Sequence, residues 1–130
     1  MAGRLKLLLD THVMLWAISD PGRLSVQARN SIASEENEVF VSVVSPWEIA
    51  IKKSRNRIEI PDDLDRGLES SGFKLLPVLL RHTKAIESMP HHHRDPFDRM
   101  LVAQAIVDGM ILVTADRKLT HYTAALMPAI

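Results

Sequence analysis

The sequence predicts an α/β domain built around a mainly parallel sheet, and three observations carry that reading. Short apolar runs alternate with segments of helical length, as in strand-helix-strand units. Turn and stop residues punctuate the boundaries, as at Asp20-Pro21-Gly22, Gly72 and Gly109. No internal repeat and no linker-like stretch divides the 130 residues, so residues 1–130 read as one domain.

Taken in order, residues 5–9 are apolar apart from one lysine, as a buried parallel strand would be, and the run ends at Asp10. Residues 11–19 read as a helix through Val13, Met14, Trp16 and Ala17. Ser25 is placed to cap a second helix over Val26, Arg29, Ile32 and Ala33. Residues 39–44, rich in β-branched side chains, give the second strand. Ser45-Pro46-Trp47-Glu48 then opens a helix, with Ser45 as the cap, Pro46 at the first position, where no N–H is needed, and Glu48 at the third. Residues 57–61 are irregular, and Asp62 or Asp63 starts a helix through Leu64 and Leu68 to Gly72. Residues 73–78 form a third strand, residues 79–88 a helix, and residues 89–93 a loop.

The last long helix has the clearest start. Asp95 is a good N-cap, Pro96 suits the first position, and Asp98 takes the third; the helix runs to about Asp108, where Gly109 stops it. Asp98 thereby shares a face with Leu101, Val102, Ala105 and Ile106, residues expected to be buried. Residues 110–114 make the fourth strand, followed by Asp116 and a short helical segment.

Composition excludes several classes. The chain is 46% hydrophobic with 16 basic and 16 acidic side chains, so it can bury a core but has no global basic field to advertise a nucleic-acid partner. The densest cationic patch, Lys52, Lys53, Arg55 and Arg57, lies where it complements the C-terminal end of the Glu48 helix. No apolar run approaches the ~20 residues of a membrane span, and the N-terminus has no signal-peptide pattern. The absence of cysteine excludes disulfides and thiolate metal sites, and a cytoplasmic location is the simplest inference.

Acids carry the functional signal. Either helix-mouth acid alone is explained by capping and the helix dipole. Two such acids, Glu48 and Asp98, together with Asp10 and Asp116 just past strand ends, have a further consequence. Strand carboxyl ends and the following helix amino ends lie on one edge of an α/β sheet, so the four can meet in one crevice. Unscreened, they would raise one another's pKa values, and a cation resolves the repulsion. Oxygen ligands point to Mg²⁺ or Mn²⁺ rather than zinc, and such an ion activates water beside a phosphate.

Four segments together resemble a PIN-domain ribonuclease, more narrowly a VapC-type toxin of a toxin–antitoxin pair: Leu8-Leu9-Asp10-Thr11-His12, Ser45-Pro46-Trp47-Glu48-Ile49-Ala50-Ile51-Lys52, the run from Asp95-Pro96-Phe97-Asp98 to Ala105, and Val113-Thr114-Ala115-Asp116. The resemblance covers nearly the whole chain. It implies a three-layer α/β/α sandwich, Mg²⁺-dependent endonucleolytic cleavage of RNA, homodimerisation, and inhibition by a VapB-type antitoxin that also carries any DNA binding. By motif position it assigns catalytic roles to Asp10, Glu48, Asp98 and Asp116, metal binding to Asp10, Asp98 and Asp116, and a supporting hydroxyl to Thr114.

Asp95 is either the N-cap alone or a base held behind the metal ligands. Lys52 and Arg99 are candidate contacts to the phosphate backbone, against the alternative of solvated surface charges. His93 fits a local structural role, and neither it nor His12 is taken as catalytic. Trp16 and Trp47, each on an apolar helical face, read as core. An aspartyl-nucleophile phosphatase would want an acid two residues after Asp10, where His12 stands, and a phospho-accepting domain would want adjacent acids after the first strand. The remaining alternative is a catalytically idle binding module whose acidic crevice receives a basic partner peptide.

Overall fold

Leu7, Leu8 and Leu9 are all fully buried because they point alternately to the two faces of a sheet that is covered on both. The structure, a computed structural model, describes residues 4–55, 60, 63–91, 93–122 and 124–130. Its sheet comprises β1 (Lys6–Leu9), β2 (Glu38–Ser42), β3 (Lys74–Leu76), β4 (Ile111–Thr114) and β5 (Leu126–Pro128), in the order β3-β2-β1-β4-β5. Every pairing among the described strands is parallel.

Parallel neighbours need crossover connections, and helices supply them. These are α1 (Thr11–Ser19), α2 (Val26–Ala33), α3 (Val44–Ser54), α4 (Leu64–Ser71), α5 (Leu80–Glu87) and α6 (Pro96–Asp108). On one face Leu7, Leu9, Val39, Val41 and Val113 pack with Val13, Met14 and Leu15 of α1, Ala28 of α2 and Leu64 of α4. On the other, Leu8, Leu76 and Leu112 pack with Leu101, Val102 and Ala105 of α6, beside Ala85 and Ile86 of α5. Helix α3 serves both cores, with Ile49 in the first and Val44 in the second. The result is the α/β/α sandwich. Gly67 is required where α4 meets α1, since a Cβ there would lie 2.4 Å from Ile18 Cγ2.

The strand order places the site. From β1 the chain steps outward to β2 and β3, then returns to lay β4 and β5 on the other side of β1. The reversal falls between β1 and β4, and the carboxyl ends at such a switch point diverge to leave a crevice. Leu9 pairs with Val113, so Asp10 and Thr114, the next residues, face one another at its mouth.

Several element boundaries differ from the sequence reading. Strand β2 stops at Ser42 and α3 already begins at Val44, because the Ser42 hydroxyl accepts the Val44 N–H at 3.1 Å and turns the chain early. Ser45 is therefore not the cap, and Glu48 sits at the fifth helical position rather than the third. Strand β3 is only three residues long, and its Leu75 is exposed at the sheet edge. The short β5 at the opposite edge was not anticipated. Helix α4 starts at Leu64 without a side-chain cap from Asp63, while Asp62 and the expected irregular residues 57–59 and 61 lie outside the described residues. Helix α6 matches the expectation at both ends: Asp95 caps it, and Gly109 closes it at φ 66°.

Candidate functional site

Asp10 is fixed by the element it ends and the element it begins. Its backbone N–H continues the β1–β4 ladder to Val113 O at 3.1 Å, and its Oδ1 accepts the Val13 N–H at 2.8 Å as the N-cap of α1. The other oxygen, Oδ2, accepts the Thr114 hydroxyl at 2.5 Å. Thr114 Oγ1 in turn accepts the Asp116 N–H at 3.0 Å, so one hydroxyl ties the first acid to the loop bearing the last.

Glu48 arrives from α3 and is 3% exposed. The Thr11 hydroxyl donates to its Oε1 at 2.7 Å, and the Ser45 hydroxyl lies 3.0 Å from Thr11 Oγ1; with the Thr11 proton committed to Glu48, Ser45 is the donor in that second contact. Lys52, one turn on, donates to Glu48 Oε2 at 2.5 Å. A carboxylate this deeply buried needs such partners to stay in place.

At the mouth of α6, Asp95 Oδ1 accepts the Phe97 and Asp98 N–H groups at 2.8 and 3.3 Å. Asp95 is thus shown as a cap, and its carboxylate also lines the crevice. His93 joins the acids. Its Nδ1 accepts the Asp95 N–H at 3.0 Å, which assigns the ring proton to Nε2 in the neutral imidazole, and that Nε2 lies 3.0 Å from Asp116 Oδ2 and 3.4 Å from Asp98 Oδ2. His93 therefore pins the carboxylates of α6 and the β4 loop together.

Asp10, Glu48, Asp95, Asp98 and Asp116 line one crevice of about 370 Å³ with Thr11, His12, Trp16 and Lys52. All four predicted acids are together. Their titration reports the crowding. Asp98 is pushed up to about 7, first by burial, then by the Asp95 charge; His93 relieves part of this, and Asp10 and Glu48 add further repulsion. Burial also raises Asp10, against the Thr114 and Val13 hydrogen bonds that favour its anion. Asp116 behaves oppositely: burial opposes its charge, yet the Lys118 N–H and His93 outweigh that and hold it below the ordinary carboxylate range. Lys52 is raised, chiefly by its bond to Glu48.

Other expectations fare differently. Trp47 was read as core and is 59% exposed; the buried face of α3 runs through Val44, Ser45, Glu48 and Ile49, and Trp47 lies off it, where it meets Phe97 edge-on at 5.0 Å between ring centroids. Trp16 does pack on the core, while one side lines the crevice. Ile106 is exposed, so Asp98 shares a buried face only with the first turns of α6. Lys52 is engaged by Glu48 rather than free. Arg99 turns away from the crevice lining, its Nη2 donating to Met89 O at 3.4 Å. Of the histidine run, His91 is exposed, His93 enters the site and His92 lies outside the described residues.

The donor set fits a hard divalent cation. Among the described residues, the one trio of ligand atoms all within 4.8 Å of one another is His93, Asp98 and Asp116. The His93 lone pair, however, is spent on the Asp95 N–H, and its Nε2 presents a proton. The carboxylates of Asp98 and Asp116, with that of Asp10 lining the same crevice, remain as available oxygen donors. Burial first, and then the neighbouring Asp95 anion, raise the Asp98 carboxyl to about 7, and a cation in the crevice would relieve both.

Comparison with known proteins follows the same line. The profile of the family described as PIN domain matches residues 7–125. The chain is similar to Ribonuclease VapC22 of Mycobacterium tuberculosis (strain ATCC 25618 / H37Rv), 31% identical over 118 residues that cover 88% of this chain and 90% of that protein. Among solved structures it resembles VapBC2 from Rickettsia felis bound to a DNA fragment from its promoter, with TM-score 0.74 and 15% identity over 97% of this chain and all of that one. It also resembles DNA-bound VapBC from Salmonella typhimurium, with TM-score 0.64 and 16% identity over 95% and 98% of the two chains. At such identities these structures support the fold.

Proposed function

The chain belongs to the PIN-domain family, and from that premise we propose that it is a metal-dependent endoribonuclease, the toxin of a type II toxin–antitoxin pair, acting on RNA in the cytoplasm. The observation that carries this reading is the meeting of Asp10, Glu48, Asp98 and Asp116 in one crevice at the switch point of the sheet. Asp10, Asp98 and Asp116 would hold Mg²⁺ or Mn²⁺, directly or through water. Such an ion, when bound, lowers the pKa of a water and neutralises charge developing on the phosphate.

The chain's own residues supply the positioning. Glu48 keeps a lone-pair direction for the attacking water while Thr11 and Lys52 hold its two oxygens, so it is built to orient that water. Thr114 fixes Asp10, and His93 fixes Asp116 against Asp98. Both are positioning residues, and their precision bears on rate. Asp98, raised to about 7, can exchange a proton near neutral pH, and a bound cation would favour its carboxylate.

A VapB-type antitoxin is the proposed partner, supported by the name of the 31% identical relative and by the VapBC assemblies among the structures of like fold. An acidic pocket of this kind suits inhibition by an inserted Arg or Lys, and the net charge of zero leaves DNA contact to that partner. Homodimerisation belongs to the same proposal. No helix among the described residues is long and apolar enough to cross a membrane.

The deciding experiment compares purified protein with its Asp98→Asn variant on RNA, with Mg²⁺, with Mn²⁺ and in excess chelator. Metal-dependent cleavage by the wild type alone is the expected result. Equal cleavage by both proteins, or cleavage in chelator, rejects the proposal.

A further inference from the structure

A crevice floored with carboxylates repels a polyanionic strand, so cations on its rim must hold the substrate, and Lys52 is already committed to Glu48 at 2.5 Å. The α1 side offers another. His12 and Trp16, one helical turn apart with ring centroids separated by 6.0 Å, both line the crevice. Beyond them the Arg23 guanidinium lies 4.7 Å from the centroid of the Trp16 ring. Arg23 is exposed and has no acidic partner at ion-pair distance among the described residues.

Its backbone is fixed as well. The 3-10 helix Pro21–Arg23 follows directly on α1, and the Arg23 and Leu24 N–H groups bond to Asp20 O and Pro21 O, each at 3.1 Å. A guanidinium laid on an indole loses little further freedom on binding, and its N–H fork stays available for a phosphate.

We propose that Arg23, seated on Trp16, forms a phosphate-binding subsite for single-stranded RNA flanking the scissile bond on the α1 side of the crevice. The subsite rests on the ribonuclease reading above. Trp16 is the platform and Arg23 the phosphate contact, and the exposed His12 beside Trp16 lines the crevice with the acids. Sequence gave no sign of this pairing, because Trp16 reads as an apolar helical position and Arg23 as a charge in a turn.

The test measures affinity of the Asp98→Asn protein for a fluorescent single-stranded RNA in Mg²⁺ across a salt series, with Arg23→Ala, Arg23→Lys or Arg29→Ala added. Each phosphate contact to a single strand contributes roughly 0.7 to the slope of log K against log salt. Arg23→Ala is expected to bind more weakly and to flatten the slope by about that amount. Arg23→Lys keeps the slope, since the charge remains, and loses affinity because the stacked fork is gone. Arg29→Ala, an exposed arginine of α2, leaves the slope unaltered.

Thermal melts establish that each variant is folded. An Arg23→Ala slope equal to that of the parent overturns the subsite. If the wild type meanwhile cleaves RNA with Mg²⁺, the nuclease reading stands and only the α1-side contact is wrong. If it neither binds nor cleaves, both fail.

Discussion

The two ends of α6 use one device in opposite electrostatic settings. At each end a histidine accepts a backbone N–H on Nδ1 and turns Nε2 toward an aspartate: His93 toward Asp116 at 3.0 Å, His82 toward Asp108 at 2.9 Å. At the C-terminal end Asp108 also takes Arg81 Nε and Nη2 at 2.9 and 3.3 Å. The arginine, then His82, overcome the burial that opposes ionisation and hold Asp108 below the ordinary range. Anion and cation are matched there, which also offsets the unfavourable placement of an acid at a helix C-terminus. At the N-terminal end burial raises Asp98 to about 7, the Asp95 charge adds to it, and one imidazole faces two aspartates while Asp10 and Glu48 contribute further charge. The matched cluster ties α5 to α6; on the proposed reading the unmatched one holds a place for a metal ion.

The largest effect expected from that difference is on catalysis. Asp98→Asn should lower the Mg²⁺-dependent rate by at least ~100-fold, about 3 kcal/mol of transition-state stabilisation. Asp108→Ala should leave the rate per folded molecule within roughly twofold, since it touches only the α5–α6 contact. Single-turnover cleavage corrected for folded fraction measures both, and comparable losses would abolish the distinction between the ends.

Stability should move the other way. Asp108→Ala strands the fully buried His82 Nε2–H, at a cost of ~1–3 kcal/mol. Asp98→Asn in chelator should instead stabilise by about 1–3 kcal/mol at pH 8. The folded-state pKa of Asp98, about 7, lies above its ordinary value of 3.8, so the metal-free native state retains a proton that the unfolded chain loses between those limits. Its destabilising contribution grows with pH through that window, is complete above it, and disappears below the lower limit. Urea denaturation at pH 4, 6 and 8 should therefore show the two proteins converging at pH 4 and the variant ahead at pH 8.

The histidines sharpen the comparison with smaller effects. His93→Ala should weaken activity and apparent metal affinity by about 10-fold, as loss of a group orienting the ligands does. His82→Ala should cost stability without that kinetic signature, because its ring lies in the core. Metal titration of cleavage, read beside thermal melts, separates the two outcomes.

What could be read from the sequence follows from how local each feature is. Strands β1, β2 and β4 are legible because burial on both faces makes nearly every position apolar, whereas the edge strands β3 and β5, three residues each, leave little pattern. The start of α6 is written in Asp95 and Pro96, which act through their own backbone neighbours. The start of α3 was misplaced because Ser42, not Ser45, meets the first free N–H, and Trp47 was misread because the buried face of α3 passes through Ser45, Glu48 and Ile49 instead. The four acids were legible from strand ends and helix mouths, which the sheet topology brings to one edge. His93 was not, since its part in the site depends on a loop residue reaching Asp116 across 23 positions of chain.

The smallest effect lies on the outer wall of the same N-terminal end. Trp47 precedes Glu48 on α3 and Phe97 precedes Asp98 on α6, and the two rings meet edge-on at 80°. Such a contact contributes ~0.5–1.5 kcal/mol beyond area burial. A double-mutant cycle of Trp47→Ala and Phe97→Ala in urea should return a coupling of about that size. Because each ring sits one residue from an acid, loss of the contact loosens the spacing between Glu48 and Asp98, so the cleavage rate should fall a few-fold in either single variant and little further in the double. Additive rate losses would mean that the rings act separately and that α3 and α6 hold their acids in register through the buried contacts of Val44 and Leu101 alone.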